Sequence, residues 1–349
     1  MKKILLVATV YRIGERIYPI IPELSKEFHI DVLRTAQMSS KNSWYGDNDY
    51  RILFDKLYNQ YVDNIFTDSM PDIKSYDLII FDDCRPRNGL KEISAVARTA
   101  GVPTIANYEG NGYFDLDNVE RDIKHWDYLS LFGTKDFDLH SKHPFGDSKK
   151  FLKGGIPAND KLCEYSISDS VVDGNNILVI VNFLGNRSCP FDIQVDENFI
   201  KQSGLKQMQQ GYDKNIVFKL KSRKDQPDPD YDKRYLESIA SDLEYDIIMD
   251  CEDDNELICT AFAVISAPST LALKSIQRGI PTILIKDSGL KGCFYDYKGL
   301  VDLDTRSIYN ELERQYNEGR DEEFIKNTIE GGIDYKSTEQ YIKNIKGII

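Results

Sequence analysis

Four histidines in 349 residues, and six cysteines without a C-x-x-C pair, leave little material for a transition-metal site. His140 and His143 stand in Asp138-Leu139-His140-Ser141-Lys142-His143-Pro144, read as a polar loop, and no third ligand follows at a suitable spacing. The cysteines are scattered at 84, 163, 189, 251, 259 and 293, several within expected strands or helices, where a thiol behaves as a small hydrophobe. The expectation is a reducing, cytoplasmic setting with no metal site. Positive charge is also short: 44 Lys and Arg against 57 Asp and Glu leave a net −13. That balance argues against tight non-specific binding to nucleic acid, although a local basic groove stays open. Long apolar runs are missing, so no integral membrane segment is expected. Met1 to Val10 is too short for a signal sequence, has no small-residue cleavage site and runs straight into Tyr11-Arg12-Ile13-Gly14. There is no internal repeat and no low-complexity tract.

What the chain has instead is alternation. Its length exceeds what one core usually fills, so two domains are expected. Continuous apolar strands at Ile4–Thr9, His29–Leu33, Asp77–Phe81 and Pro103–Ala106 suit a parallel sheet covered on both faces, with weaker strands at Tyr128–Phe132 and Lys150–Leu152. Helices are expected over Ile17–Glu27, Asn48–Phe66 and Gly89–Ala100. A polar stretch, Glu164 to Asn176, reads as a linker, after which strands recur at Ile177–Val181, Ile216–Leu220, Asp246–Met249, Ala263–Ile265 and Thr282–Ile285. The fold class is therefore α/β, two Rossmann-like, doubly wound parallel-sheet domains facing a cleft. The expected domains are 1–165 and 170–334, with a C-terminal helix in 335–349 packing back on the first.

One stretch concentrates the functional signal. Ala261–Ile265 is a short apolar run that stops at Ser266-Ala267-Pro268-Ser269-Thr270, and a helix follows until Arg278 and Gly279. A turn of this kind offers hydroxyls and orphan N–H groups at a helix N-terminus, where a phosphate is readily held. The plain alternative is a serine that merely caps its own helix. Neighbouring strand ends favour the anion site. Gly185, Asn186 and Arg187 follow one strand; Lys219, Lys221 and Arg223 end or follow the next; Cys251 to Asn255 follows the third, where a backbone edge could read a base and an acid a ribose.

The first half offers carboxylates in the equivalent places. Asp82 and Asp83 end one strand, with Arg85 and Arg87 close behind, and a charged loop capping the next helix is the alternative. Glu109, between Tyr108 and Gly110, could serve as a general base, or else cap a helix or pair with an arginine. After the first strand, Arg12 could face an anion and Gly14 could let backbone approach a ligand closely, against the simpler reading of a solvated loop.

The segment Gly155-Ile156-Pro157-Ala158-Asn159-Asp160-Lys161-Leu162 is similar to the G-x-P-R-N-D-x-L junction of CDP-glycerol glycerophosphotransferases and related GT-B glycosyltransferases. The Ser-Ala-Pro-Ser-Thr turn resembles the phosphate-binding turn of that group and of the UDP-N-acetylglucosamine 2-epimerases. Glu109 resembles the glutamate in the epimerases' H-x-E-A-G segment. The chain departs at Ala158, where the group has arginine, and at Lys219-Leu220-Lys221-Ser222-Arg223, which replaces K-x-H-P. The resemblance implies a GT-B enzyme with a nucleotide-diphosphate sugar, UDP most readily, as co-substrate and no other cofactor. Ser269, Thr270, Gly185, Asn186, Arg187, Lys219, Lys221, Arg223 and Cys251 would bind the donor, Arg187 with Lys221 or Arg223 balancing leaving-group charge in place of a metal. Glu109, or Asp83, would take the acceptor's proton, with Arg12 and Gly14 on the acceptor side. The acceptor would be a surface polysaccharide or a modified base of phage-type DNA. A UDP-sugar 2-epimerase and a non-catalytic nucleotide-sugar-binding module are the alternatives.

Overall fold

The computed structural model describes the chain except for residues 10–13, 36–47, 68, 86–88, 109–122, 166–175, 182, 185–193, 196–199, 201–203, 221–227, 229, 250–252, 267–268, 286–293, 295 and 303–306. The chain divides into two compact units, between Asp160 and Lys161 and again between Ile325 and Lys326.

The first unit holds seven strands: β1 (Lys3–Ala8), β2 (His29–Arg34), β3 (Asn64–Phe66), β4 (Leu78–Phe81), β5 (Thr104–Asn107), β6 (Tyr128–Leu131) and β7 (Phe151–Lys153). They pair in parallel in the order β3-β2-β1-β4-β5-β6-β7. Chain order therefore runs outward from β1 on one side and then jumps to β4 on the other. In an open α/β sheet that reversal is the switch point beside which ligands bind. Strand alternation assigns the two faces. Ile4, Leu6 and Ala8 of β1, with Leu78 and Ile80 of β4, pack on Tyr18, Phe54 and Tyr58. Leu5 and Val7, with Ile79 and Phe81, pack on Ile93, Ala97 and Trp126. Burying each such side chain stabilises the unit by about 1.5–3 kcal/mol, which is why these strands read as unbroken apolar runs.

The second unit repeats the scheme. Strands β8 (Asn176–Val181), β11 (Asn215–Leu220), β12 (Tyr245–Ile248), β13 (Ala261–Ser266), β14 (Thr282–Ile285) and β15 (Leu300–Val301) form a parallel sheet in the order β12-β11-β8-β13-β14-β15. A separate pair joins β9 (Phe183–Leu184) to β10 (Gln194–Val195). Here the switch point lies between β8 and β13.

The Gly155–Leu162 segment has a structural task in the first unit. The Asp160 carboxylate accepts hydrogen bonds from Ser337 N at 3.0 Å and Thr338 N at 2.7 Å, capping the C-terminal helix Ser337–Ile348 from outside it. Gly155 has φ +69°, and an added Cβ would sit 2.4 Å from both Glu330 O and Ser337 Oγ, so only glycine fits that approach. Tyr341 and Ile345 of the same helix are buried in the first unit's core.

Several expected elements take a different form. Pro19 and Pro22 break the helix expected over Ile17–Glu27 into a 3-10 turn, Tyr18–Ile20, and a short helix, Ile21–Leu24. The helix expected to reach Phe66 ends at Tyr58, and Asn64–Phe66 pairs with β2 instead, because tertiary pairing decides a three-residue apolar run. Asp138 to Lys142, expected in a loop, lies in the helix Thr134–Lys142, whose inner face carries Asp136 and the buried His140.

Candidate functional site

In the second unit, β13 delivers Ser266 to the carboxyl edge of the sheet beside the switch point. Ser269 is the N-cap of the helix Thr270–Arg278; its Oγ accepts from Ala272 N at 3.1 Å and lies 3.4 Å from Ser266 Oγ. Thr270 opens the helix, and Gly279 closes it with φ +85°. Ser275 donates to Ala272 O at 2.8 Å and receives Thr282 Oγ1 at 2.8 Å, which fixes the helix against β14. The result is a helix N-terminus beyond the carboxyl end of β13, with the Ser269 hydroxyl already spent on one amide. Self-capping takes one amide and leaves further amides at the helix start.

Lys219, the other described residue expected on the donor side, reaches across the end of β12: its Nζ donates to Met249 O at 3.1 Å and to Leu220 O at 3.3 Å. Asp253 caps the next helix through Asn255 N at 2.8 Å and Glu256 N at 3.3 Å, and also accepts from the Tyr165 hydroxyl. Gly185, Asn186, Arg187, Lys221, Arg223 and Cys251 lie outside the described residues, as do Arg12 and Glu109 of the first half.

In the first unit the adjacent carboxyl ends of β1 and β4 are followed by the buried Thr9 and the buried Asp82-Asp83 pair. Val7 stands opposite Phe81 in the register, and Asp82 N donates to Val7 O at 3.2 Å, so the two strand ends are level. Asp83 is fully buried and bound by its own loop: Arg85 N donates at 2.9 Å, Nε at 3.0 and 3.1 Å, and Nη2 at 2.9 Å. Asp83 is thus engaged by a guanidinium, and its neighbour is the more unusual group. Asp82, 1% exposed, accepts Thr9 Oγ1 on Oδ1 at 2.6 Å, and Thr9 N at 2.8 Å and Tyr18 Oη at 3.0 Å on Oδ2. Burial pushes its carboxyl up to about 7; the Thr9 donors pull the other way, the Asp83 charge adds to the rise, and Tyr18 opposes it. Gly14 faces the Tyr18 ring.

Asp82 was not singled out over Asp83 by the sequence. The signal was available in the two-residue period of β4, which puts Asp82 on the face of Leu78 and Ile80 and Asp83 on the face of Phe81. At the end of β5, Asn107 donates to Phe81 O at 2.8 Å and accepts from Tyr341 Oη at 2.9 Å, a buried brace at the start of the segment that leads to Glu109. Among the described residues no three His, Cys, Asp or Glu side chains cluster as a metal site, and no helix is long and apolar enough to cross a membrane.

No protein-family model matches this sequence, and no curated protein matches it by sequence. Solved structures do match in three dimensions. The chain is similar to UDP-GlcNAc 2-epimerase from Neisseria meningitidis bound to UDP-GlcNAc, with TM-score 0.63 and 13% identity over 99% of this chain and 100% of that one. It is similar to HepE from Anabaena in complex with UDP and glucose, with TM-score 0.61 and 11% identity over 100% and 99% of the two chains. The wall teichoic acid polymerase TagF matches with TM-score 0.53 and 13% identity over 99% of this chain and 89% of that one. At these identities the likeness establishes the fold. It is the two-domain, Rossmann-like GT-B fold that the sequence alternation and the resemblance to the epimerase and glycerophosphotransferase group led us to expect.

Proposed function

We propose that this chain is an enzyme that uses a UDP-sugar, and that it transfers the sugar to a hydroxyl acceptor without a metal ion. The observation that carries this reading is the Ser269-capped helix N-terminus at the carboxyl edge of β13, beside the switch point of the second sheet. A diphosphate is the ligand such a terminus favours. Arg187 with Lys221 or Arg223 would balance the charge that develops on the leaving UDP. Glu109 is proposed to take the acceptor's proton, with Arg12 on the acceptor side; Asp83, engaged by Arg85, drops to a structural part in this scheme. The structures similar in fold support a UDP-bearing ligand, since two of them were solved with UDP-GlcNAc or with UDP and glucose.

A 2-epimerase reading has its own support, because the match spans the whole of the Neisseria epimerase chain. Products separate the two. Incubating the protein with a panel of UDP-sugars, with and without hydroxyl-bearing glycans or hydroxymethylated duplex DNA, is expected to release UDP only when an acceptor is present. Epimerised UDP-sugar formed without any acceptor would replace the transferase reading with the epimerase one.

A further inference from the structure

We propose that Asp82 is a positioning residue that clasps the two ends of the segment between Thr9 and Gly14, holding Thr9 directly and Gly14 through Tyr18. This rests on the reading above that the segment after β1 serves the acceptor.

The first arm of the clasp is Thr9, 1% exposed, which engages both carboxylate oxygens, its N–H on Oδ2 and its hydroxyl on Oδ1. The second arm is Tyr18, fully buried, with its ring held edge-on by Phe54 at 5.1 Å and Tyr58 at 6.0 Å and its hydroxyl on Oδ2. Gly14 completes it. A Cβ placed on Gly14 would lie 2.0 Å from Tyr18 Cζ and 2.2 Å from its Oη, so the phenol fills the space a side chain would need. The Gly14 carbonyl also accepts Ile17 N at 2.8 Å, which starts the turn that delivers Tyr18. The glycine is thus explained by the chain's own tyrosine.

The donor pattern also accommodates a proton. Thr9 N on Oδ2 cannot accept, whereas the Thr9 hydroxyl on Oδ1 and the Tyr18 hydroxyl on Oδ2 can each reverse. With its hydrogen on Oδ1 toward Thr9 Oγ1, a protonated Asp82 keeps both bonds to Oδ2, and the clasp survives protonation. Among the described residues, the charged groups beside it include Asp83, with Arg85 upon it; Tyr18 and Tyr58 are ionisable neighbours on the packed face, with the Glu15 charge acting on Tyr58. An asparagine can reproduce the protonated form, its amide oxygen taking Thr9 N and Tyr18 Oη and its NH2 donating to Thr9 Oγ1. An alanine cannot.

Two readouts test this. Hydrogen exchange of the Thr9 amide, scaled to amides inside β1, needs no substrate. Asp82→Ala is expected to lower Thr9 protection about tenfold or more, Tyr18→Phe to lower it less, and Asp82→Asn to leave it intact. Gly14→Ala is expected to destabilise the wild-type background but to cost little beside Tyr18→Ala, where the space is open. In turnover with a UDP-sugar and acceptor, Asp82→Ala is expected to raise the acceptor KM with UDP affinity unchanged, and Asp82→Asn to restore it. Unchanged Thr9 exchange in Asp82→Ala would overturn the clasp whatever the activity. An inactive Asp82→Asn with Thr9 still protected would overturn the positioning role and make Asp82 an acid–base group. If wild type turns over no UDP-sugar, the function proposed above fails, while the exchange and Gly14–Tyr18 measurements still decide the clasp.

Discussion

Asp136→Asn is expected to stabilise the protein near pH 8 by on the order of a few kcal/mol, and to change it little near pH 4. Asp136 sits in the first turn of the Thr134–Lys142 helix, 1% exposed. Its Oδ2 accepts Phe132 N at 3.3 Å, and its Oδ1 has no partner among the described residues. Burial pushes its carboxyl up to about 7, with the Phe132 hydrogen bond and the Lys135 charge opposing. The sign follows from linkage. The folded-state value lies above the unfolded one, near 3.8, so the stability this group contributes is whole below about 3.8 and is lost as pH rises to about 7. Asparagine keeps the acceptor for Phe132 and never ionises, so it removes that loss. Asp82 stands at the same value for the same first cause, burial, and Asp82→Asn should show the same slope. Urea melts of wild type and both variants at the two pH values measure it. A variant-to-wild-type gap that does not widen with pH would mean these carboxylates ionise in the folded protein as they do in the unfolded one.

The second large effect concerns chemistry. Glu109→Gln is expected to slow sugar transfer by about 10²–10⁴-fold, the usual contribution of a general base, while UDP affinity stays within about twofold. The separation matters because glutamine preserves shape and hydrogen bonding but cannot hold the proton. Asn107, braced by Phe81 O and Tyr341, gives that segment a fixed start, so loss of activity through misfolding should show as a lowered melting temperature. A Glu109→Gln enzyme that turns over normally would return the role of base to another group.

Most of the fold could be read from the chain because parallel strands buried on both faces leave unbroken apolar runs such as Ile4–Ala8 and Ala261–Ile265. Two edge strands escaped. Asn64–Phe66 and Leu300–Val301 are three and two residues long, and their pairing with β2 and β14 is a tertiary fact. His140 was read into a loop because Asp138, Ser141 and Lys142 dilute the apolar spacing, yet Asp136, Phe137 and His140 mark one inner face of a helix. The helix cap was legible in Ser269 because caps announce themselves by residue type. Asp82 was harder. Two adjacent aspartates look alike in sequence, and what separates them is the ring of Tyr18 arriving from a turn sixty-four residues earlier. Beside Gly14 the space a side chain would need holds an aromatic ring, and the ring belongs to Tyr18.

The most direct measurement is a titration of the wild-type protein with UDP, followed by calorimetry and by the amide resonances of residues 269–272. Saturable binding is predicted, with the Thr270 and Leu271 amides shifting most and about 2.7 kcal/mol of added stability once UDP reaches a hundred times its Kd. No heat and no stabilisation with millimolar UDP, or binding that leaves those amides unmoved, would contradict the assignment of the Ser269–Thr270 helix start as the diphosphate site.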